Sequence, residues 1–174
     1  MQIESFGYIA NKSSKILILG TMPGNDSLKS SEYYGHHNNL FWDIIFRVCC
    51  PEWKIDEVVS VDYDTKINLL IKNNIALWDV LKYCDRDESS LDKDIRNQIH
   101  NDFKSFFQEY NKIKVVFFTS QKAAKYFDDF KPEPLIFDNR TFITLQSTSP
   151  FNRTNSFRIL NDWMQIRNYL NIKL

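Results

Sequence analysis

The sequence predicts an α/β protein with three layers, α/β/α, in which a central, mainly parallel four-stranded sheet lies between helices. Several short apolar runs show no polar alternation, which is typical of strands buried on both faces. These runs alternate along the chain with amphipathic helical patterns, and that alternation indicates a mainly parallel sheet. The 174 residues, 43% of them hydrophobic, suit a single domain over residues 1–174 that is stable as a monomer without disulfides.

Four apolar runs are predicted to be strands, because each is short, rich in β-branched or aromatic side chains, and bounded by polar or turn residues. They cover residues 15–20, 75–78, 115–118 and 141–145. Helical patterns are predicted over residues 40–48, 66–72, 91–99, 103–110, 121–130 and 157–170. Ligands of parallel sheets bind beyond the carboxyl ends of the strands. We therefore expect a site on the segments that follow the strands, residues 20–39, 79–92, 119–122 and 146–155.

Composition and motifs exclude several classes of protein. Lysine and arginine total 22, as do aspartate and glutamate, whereas proteins that coat DNA nonspecifically are usually much more basic. No glycine-rich phosphate-binding motif follows the first strand, so we expect no nucleotide cofactor. The three cysteines have no Cys-x-x-Cys spacing and indicate neither a disulfide framework nor a metal site. Without a signal sequence or a membrane-length apolar stretch, the protein is expected to be cytoplasmic, with no membrane partner.

Positive charge is concentrated in the C-terminal fifth of the chain. From residue 139 onward a single acid, Asp162, faces five basic residues: Arg140, Arg153, Arg158, Arg167 and Lys173. Arginine, serine, threonine and asparagine make many of the sequence-independent contacts to a nucleic-acid backbone. A solvated helix face would give the same pattern, so charge alone leaves both interpretations open.

The loop after the first predicted strand ends in a cluster of aromatic, histidine and amide side chains, residues 33–42. Aromatic rings next to amides suit recognition of a flat heterocycle by stacking and edge hydrogen bonds. Rings at this density also pack in protein cores, and Asn39 at a helix start would serve equally well as an N-cap.

The segment 146–153 combines three hydroxyl side chains with Pro150, Phe151 and Arg153. Such a loop can hold phosphates and insert an apolar wedge between stacked bases. The alternative is a hydroxyl-capped turn into the last helix, with Phe151 packed as a hydrophobic staple.

Four motifs in order along nearly the whole chain carry a family resemblance. They are Gly20-Thr21-Met22-Pro23-Gly24, Tyr34-Gly35-His36-x-x-Asn39-x-Phe41-Trp42, Ala76-Leu77-Trp78-Asp79-Val80-Leu81 and Ser147-Thr148-Ser149-Pro150. With them the sequence resembles the uracil-DNA glycosylase superfamily, and within it the branch of hypoxanthine (deoxyinosine) DNA glycosylases. The resemblance implies a uracil-DNA glycosylase-like fold and, as partner, DNA that contains a deaminated base.

The resemblance assigns catalysis to Asn39. Several branches carry an acid or amide in the first motif to position the attacking water, at the places that Thr21 and Met22 occupy here. The hypoxanthine branch instead supplies a catalytic amide from the position of Asn39. This position would orient water or hydrogen-bond the leaving base.

Asp79 stands where uracil-directed relatives have an asparagine that reads the base edge. An ionised carboxylate only accepts hydrogen bonds. It can bind N1–H of hypoxanthine or N3–H of uracil, and it should repel adenine and cytosine, which lack that proton. The resemblance also implies that Tyr34 stacks on the flipped base, a contact worth about 1–3 kcal/mol. The implied base pocket comprises Thr21, Met22, Tyr34, His36, Phe41 and Asp79.

The last motif implies the contacts to DNA. Ser147 stands where uracil-directed relatives have a histidine that stabilises the leaving base, so this help should be weaker here. Phe151 stands where an apolar residue is inserted into the DNA. The implied DNA contacts are Lys122, Ser147, Thr148, Ser149, Pro150, Phe151 and Arg153.

These expectations describe a monofunctional DNA glycosylase that releases hypoxanthine, uracil or xanthine, starts base excision repair and needs no cofactor or metal. No lysine matches a Schiff-base nucleophile of the family, so no lyase activity is expected. Three alternatives stay open: a uracil-preferring glycosylase, a catalytically silent DNA-binding module of the same fold, and a small-molecule nucleoside hydrolase.

Overall fold

The computed structural model describes residues 1–52, 61–87, 92–130 and 139–170. Within these ranges the strands are β1 (Gln2–Glu4), β2 (Ile16–Gly20), β3 (Ile75–Asp79), β4 (Leu81–Asp85), β5 (Arg96–His100), β6 (Val115–Phe118) and β7 (Thr141–Thr144). The α-helices are α1 (Asn25–Ser30), α2 (Phe41–Cys49), α3 (Tyr63–Lys72), α4 (Phe103–Glu109), α5 (Gln121–Asp129), α6 (Ser156–Trp163) and α7 (Arg167–Leu170). Short 3₁₀ segments cover Asp92–Asp94, Pro150–Asn155 and Met164–Ile166.

The central sheet has the strand order β3-β2-β6-β7, and each neighbouring pair is parallel. All residues of β2 are buried. Its side chains alternate between two cores: Leu17 and Leu19 pack with α4 and α5, whereas Ile16 and Ile18 pack with α2, α3 and α6. Helices therefore cover both faces, and the predicted three-layer α/β/α fold with a parallel four-stranded sheet is confirmed.

A second sheet, which the sequence did not predict, has the order β1-β4-β5 and is antiparallel. The helix predicted over residues 91–99 is wrong in the described residues, because Arg96–His100 forms β5 and pairs with β4; residue 91 lies outside the described ranges. Four of the five β5 residues are exposed. Backbone pairing, and not the burial of an apolar face, holds this segment in a strand, so hydrophobic periodicity could not identify it.

The other predicted helices are present, with ends shifted by a few residues. The largest shift is at α3, which begins at Tyr63 because the Asp62 side chain accepts a hydrogen bond from the backbone N–H of Thr65 at 2.8 Å. The pattern predicted over residues 157–170 is divided into α6, a 3₁₀ turn and α7. In the part of the chain that the structure describes, no helix combines the length and apolar character needed to cross a bilayer.

The β2–β3 pairing fixes the position of Asp79. Gly20 and Asp79 are register partners at the carboxyl ends of these strands. Directly after Asp79, the backbone N–H of Val80 donates to the Gly20 carbonyl at 2.8 Å. The side-chain amide of Asn101, just before α4, donates to the Asp79 carbonyl, also at 2.8 Å. The backbone that carries the Asp79 carboxylate is thus held from both sides.

Asp102 caps α4, and its removal should destabilise the protein in a pH-dependent way. Its carboxylate accepts hydrogen bonds from the backbone N–H and the hydroxyl of Ser105, at 3.0 and 2.6 Å, and these bonds lower its pKa. A carboxylate with a lowered pKa in the folded state contributes stability above its unfolded pKa of about 3.9 and loses it as the pH falls through the folded value. We expect Asp102→Ala to lower the free energy of unfolding by about 1 kcal/mol at pH 7, and by progressively less below about pH 4.

Urea denaturation at neutral and acidic pH measures this difference, with Asp128→Ala, an exposed position on α5, as the control. An equal loss at both pH values would contradict the capping role of the ionised carboxylate.

Candidate active site

A cavity of about 900 Å³ opens at the carboxyl ends of the parallel strands. Each of the four segments that follow the predicted strands contributes to its wall, where the sequence placed the site. Most of the predicted site residues line it: Thr21, Met22, Tyr34, His36, Asn39, Asp79, Ser147, Thr148, Ser149, Pro150 and Phe151. Phe41, Lys122 and Arg153 are not part of the wall.

The Asp79 carboxylate lies against the backbone of Gly20. A Cβ atom at position 20 would collide with Asp79 Oδ1 and would lie 2.9 Å from the Tyr34 hydroxyl oxygen. Glycine is needed here for close approach, and not for an unusual backbone conformation. Asp79 is only 3% exposed, and its Oδ2 accepts a hydrogen bond from the Ser5 hydroxyl at 3.0 Å. The site therefore holds a nearly buried hydrogen-bond acceptor at the end of β3.

Tyr33, next to this carboxylate, acts as a neutral donor. Burial, together with the nearby Asp79 carboxylate, raises the pKa of Tyr33 far above its usual value. Its hydroxyl group faces the carbonyl oxygens of Phe6 and Gly7, each at 3.3 Å. These contacts, with the Ser5 hydrogen bond, make the N-terminal segment part of the support of the cavity.

The Tyr34 ring is supported by Phe41. The two rings stack with their centroids 3.8 Å apart and their planes 10° apart, and Phe41 is completely buried. Tyr34 has a left-handed backbone conformation, with φ of 55°, which is uncommon for a residue with a bulky side chain. Its hydroxyl donates to Thr119 Oγ1 at 3.4 Å. Phe41, which the sequence placed among the base-contacting residues, thus does not line the cavity but supports the ring of Tyr34, which does.

Asn39 lies two residues before the first residue of α2, and Leu40, between them, is the N-cap residue of the helix. Its Oδ1 accepts a hydrogen bond from the backbone N–H of Phe41 at 2.9 Å. An amide nitrogen cannot accept this hydrogen bond, so the contact fixes the orientation of the side chain. The NH₂ group is then the donor that Asn39 offers to a ligand, and the residue lines the cavity. The hydrogen bond to the start of α2 and a role in the cavity are therefore compatible.

The other predicted pocket residues contribute less surface or already have protein partners. Thr21 and Met22 are 7% and 8% exposed and present small patches. His36 lies at the cavity wall, where its Nδ1 accepts the backbone N–H of Asn38 at 3.0 Å. Its Nε2 lies 3.6 Å from Asp26 Oδ2. Both ring nitrogens of His36 therefore face protein groups, which orients the ring.

The last motif is joined to the Asn39 segment through the backbone. The N–H of Leu40 donates to the Thr148 carbonyl at 3.0 Å, and Thr148 is only 2% exposed. Ser147 and Ser149 are partly exposed. Phe151 is 79% exposed, so it is not packed in the core as a hydrophobic staple.

Arg153 and Lys122 lie beside the cavity. The Arg153 guanidinium donates to Asn38 Oδ1 at 2.9 Å, which links the last loop to the second motif. Lys122, on α5, lies over the Tyr126 ring with Nζ 5.1 Å from the ring centroid. It also lines a smaller cleft that shares Ser147 with the main cavity. Both cations are thus close to the cavity mouth without entering it.

Two residues that hold the site together were not among the site residues named from the sequence. Ser5 reaches Asp79 from 74 residues away in the chain, and no local pattern marks it. Thr119 directly follows β6 and lies in the segment 119–122, which the rule that sites form at strand ends selected without giving Thr119 a role.

Gly20→Ala tests the close approach of the carboxylate. The added methyl group would collide with Asp79 Oδ1, and forcing such a group into a packed site costs about 1–3 kcal/mol. We expect that loss in the free energy of unfolding, measured by urea denaturation. Gly7→Ala is the matched control, since a Cβ at Gly7 meets nothing within 4 Å. Equal stability of the two variants would contradict the packing described here.

Comparison with known proteins agrees with this geometry. The family model of the uracil DNA glycosylase superfamily matches residues 6–170. A hypoxanthine DNA glycosylase from Methanosarcina barkeri is 30% identical over 126 residues, which cover 72% of this chain and 76% of that protein. A hypoxanthine DNA glycosylase from Methanosarcina acetivorans is 29% identical over 164 residues, covering 92% and 94% of the two chains.

The fold is also similar to that of a solved structure. The solution NMR structure of a candidate uracil DNA glycosylase from Methanosarcina acetivorans superposes with a TM-score of 0.80 at 28% identity, over 99% of this chain and 100% of that one. The family match covers most of the chain, in agreement with the resemblance carried by the four motifs. The protein therefore belongs to the uracil DNA glycosylase superfamily.

Proposed function

We propose that the protein is a monofunctional DNA glycosylase that hydrolyses the N-glycosidic bond of a deaminated base flipped out of DNA, with hypoxanthine as the preferred base. The observation that carries the proposal is the nearly buried Asp79 carboxylate, which shares one cavity with the Asn39 amide and the Tyr34 ring. The relatives named hypoxanthine DNA glycosylases support the choice of base. Release of the base leaves an abasic site and so starts base excision repair.

Asp79 provides the discrimination between deaminated and normal bases. Hypoxanthine carries a proton on N1 and donates it to the carboxylate, whereas adenine presents a lone pair there, which an ionised carboxylate repels. Uracil and cytosine differ in the same way at N3. The carboxylate thus selects deaminated bases as a class, and Tyr34 adds stacking that any flat base can use.

Asn39 acts on the charge that develops during cleavage. Breaking the bond between deoxyribose and base leaves positive charge on the sugar and negative charge on the departing base, and preorganised donors stabilise such charge. The Asn39 NH₂ group donates to the departing base, because its Oδ1 is held by the Phe41 N–H. Water then attacks C1′ of the sugar, and holding it next to the reacting carbon supplies much of the rate acceleration.

The last loop holds the DNA. Its serine hydroxyls, partly exposed at Ser147 and Ser149, bind phosphate oxygens, and Arg153 supplies positive charge. Phe151, exposed at the cavity wall, enters the space that the flipped base leaves in the stack. Thr148 and Pro150 keep this loop in place, and Lys122 binds phosphate farther along the strand.

The positions of the lysines support the proposal that the enzyme has no lyase activity. A Schiff-base nucleophile requires an amine that is activated by desolvation or by a neighbouring group. Among the described residues of the cavity wall, the lysine is Lys29. Its side chain is 80% exposed and lies 3.9 Å from Asp26 Oδ1. Lys29 is therefore not set up as a nucleophile.

A glycosylase assay on matched duplexes with one deoxyinosine, deoxyuridine or deoxyxanthosine tests the proposal. We expect strand cleavage at deoxyinosine only after alkali, and no adduct trapped by borohydride. Faster release of uracil would make the protein a uracil-preferring enzyme. DNA binding without formation of abasic sites would indicate a catalytically silent DNA-binding module. Cleavage of free deoxyinosine alone would indicate a nucleoside hydrolase.

Asn39→Ala should lower the single-turnover rate of base release on the order of 10²–10³-fold, the usual cost of removing one preorganised polar group. Asn39→Asp separates catalysis from the hydrogen bond to α2, because a carboxylate can still accept the Phe41 N–H but cannot donate. We expect Asn39→Asp to keep the melting temperature and to be as slow as Asn39→Ala. A fast Asn39→Asp variant would show that an oxygen, and not the NH₂ group, does the catalytic work.

Asp79→Ala should slow release of hypoxanthine by a similar factor, since the base N1–H loses its acceptor. Asp85→Ala is the matched control, because Asp85 lies in β4, where its carboxylate accepts from the Asn97 amide at 2.7 Å. Single-turnover rates and melting temperatures of both variants are measured together. Equal activity of the folded Asp79→Ala variant and the control would contradict the role of the carboxylate in base recognition.

A further inference from the structure

The helical segment that follows the cavity exposes two phenylalanine side chains. Phe151 is 79% exposed and Phe157 is 75% exposed, the highest values for aromatic residues in the described ranges. Single exposed apolar side chains are common on protein surfaces. Two large ones close together in a short polar segment beside a candidate site are less usual and mark an interaction surface.

The packing of α6 does not explain why an aromatic residue occupies position 157. This helix buries Ile159 and Trp163 against the central sheet, and these positions lie on one helical face. Phe157 and Arg158 lie on the opposite, solvent-facing side, and both are exposed. The aromatic ring is therefore available to a partner and contributes nothing to the core.

The charges and side chains around Phe157 favour binding of a polyanion. No aspartate or glutamate occurs between residues 139 and 161, whereas Arg153 lies between the two phenylalanines and Arg158 directly follows Phe157. The nearest acid, Asp162, is engaged, because its Oδ2 accepts the backbone N–H of Gln146 at 2.7 Å. The exposed side chains of this stretch are otherwise hydroxyls and amides, which bind phosphate and sugar groups.

The segment is continuous with the cavity wall. The 3₁₀ segment Pro150–Asn155, which begins at the wall, runs directly into α6 at Ser156. Phe157 follows Phe151 by six residues. At a rise of about 1.5–2.0 Å per residue the two positions are about 9–12 Å apart along the segment. Nucleotides along one strand are spaced by about 3.4 Å, so this length corresponds to about three nucleotides.

We propose that Phe157, with Arg158, is a second DNA contact that engages the duplex about three nucleotides from the flipped base. The inference rests on the proposed function, because it takes Phe151 as the residue at the vacated base position. Phe157 packs its ring against a sugar or base of the flanking duplex, and Arg158 binds the adjacent phosphate. The protein then grips one flank of the lesion more strongly than the other.

Fluorescence anisotropy with a labelled deoxyinosine duplex, long on both flanks, tests the contact directly. Phe157→Ala should raise the dissociation constant about tenfold, the size expected for loss of one aromatic–nucleotide contact. Ile99→Ala is the matched control, since Ile99 is 53% exposed but lies on β5, in the other sheet. Melting temperatures of both variants should match that of the wild type, because neither side chain is buried.

Shortened duplexes locate the contact. Cutting the duplex to two base pairs on one flank should weaken wild-type binding and remove the difference between wild type and Phe157→Ala, while cutting the other flank should leave the difference intact. Equal affinity of Phe157→Ala and wild type on the long duplex would overturn the proposal. So would a defect of Phe157→Ala that persists when either flank is cut.

The result of the anisotropy experiment is independent of the glycosylase assay, because anisotropy measures DNA binding and does not require base release. If the wild type binds the duplex but releases no base, the enzymatic proposal fails while the Phe157 contact is still judged by affinity. If base release is normal and Phe157→Ala binds like the wild type, the second contact fails alone.

Discussion

The approach of the Asp79 carboxylate to the backbone of Gly20 is the constraint on which the candidate site depends. Parallel pairing of β2 with β3 puts the two residues side by side, and only a residue without a side chain leaves room for the carboxylate and the Tyr34 hydroxyl. A nearly buried carboxylate is costly unless it accepts hydrogen bonds. Ser5 supplies one of them, and in the proposed function a protonated ring nitrogen of the bound base supplies another. The proposed recognition of a deaminated base therefore depends on how this acceptor is buried.

The Asn39 segment connects the Asp79 site to the last loop, for which we propose contacts to DNA. The Asn39 side chain accepts the first backbone N–H of α2, and the next residue, Leu40, donates its N–H to the Thr148 carbonyl. The Arg153–Asn38 hydrogen bond makes a second link between the same two loops. A displacement of the last loop by DNA would thus act on the segment that carries the amide. The residues proposed for base recognition, bond cleavage and DNA binding thus belong to one hydrogen-bonded unit.

Sequence reasoning succeeded where a rule connects local pattern to three-dimensional position. Buried apolar runs identified the parallel strands. The rule that sites form at strand ends predicted that the segments of Asp79 and Ser147 contribute to one site, and both residues line the same cavity. Sequence reasoning failed where contacts between distant segments determine the structure. The exposed strand β5 has no hydrophobic period, Ser5 lies 74 residues from Asp79, and the support of Tyr34 by Phe41 appears only when the rings are seen stacked. The family resemblance named the candidate site residues. The geometry separates the residues that line the cavity from Phe41, Lys122 and Arg153, which do not.

A change to the substrate itself tests the central claim most directly. Excision of deoxyinosine is compared with that of N1-methyldeoxyinosine in the same duplex, for wild type and for Asp79→Ala. The methylated base cannot donate from N1, so the wild type should release it at least about 100-fold more slowly, in line with the loss of one preorganised contact. Asp79→Ala, which lacks the acceptor and has more room, should treat the two bases alike. Equal release of both bases by the wild type would contradict recognition through the Asp79 carboxylate.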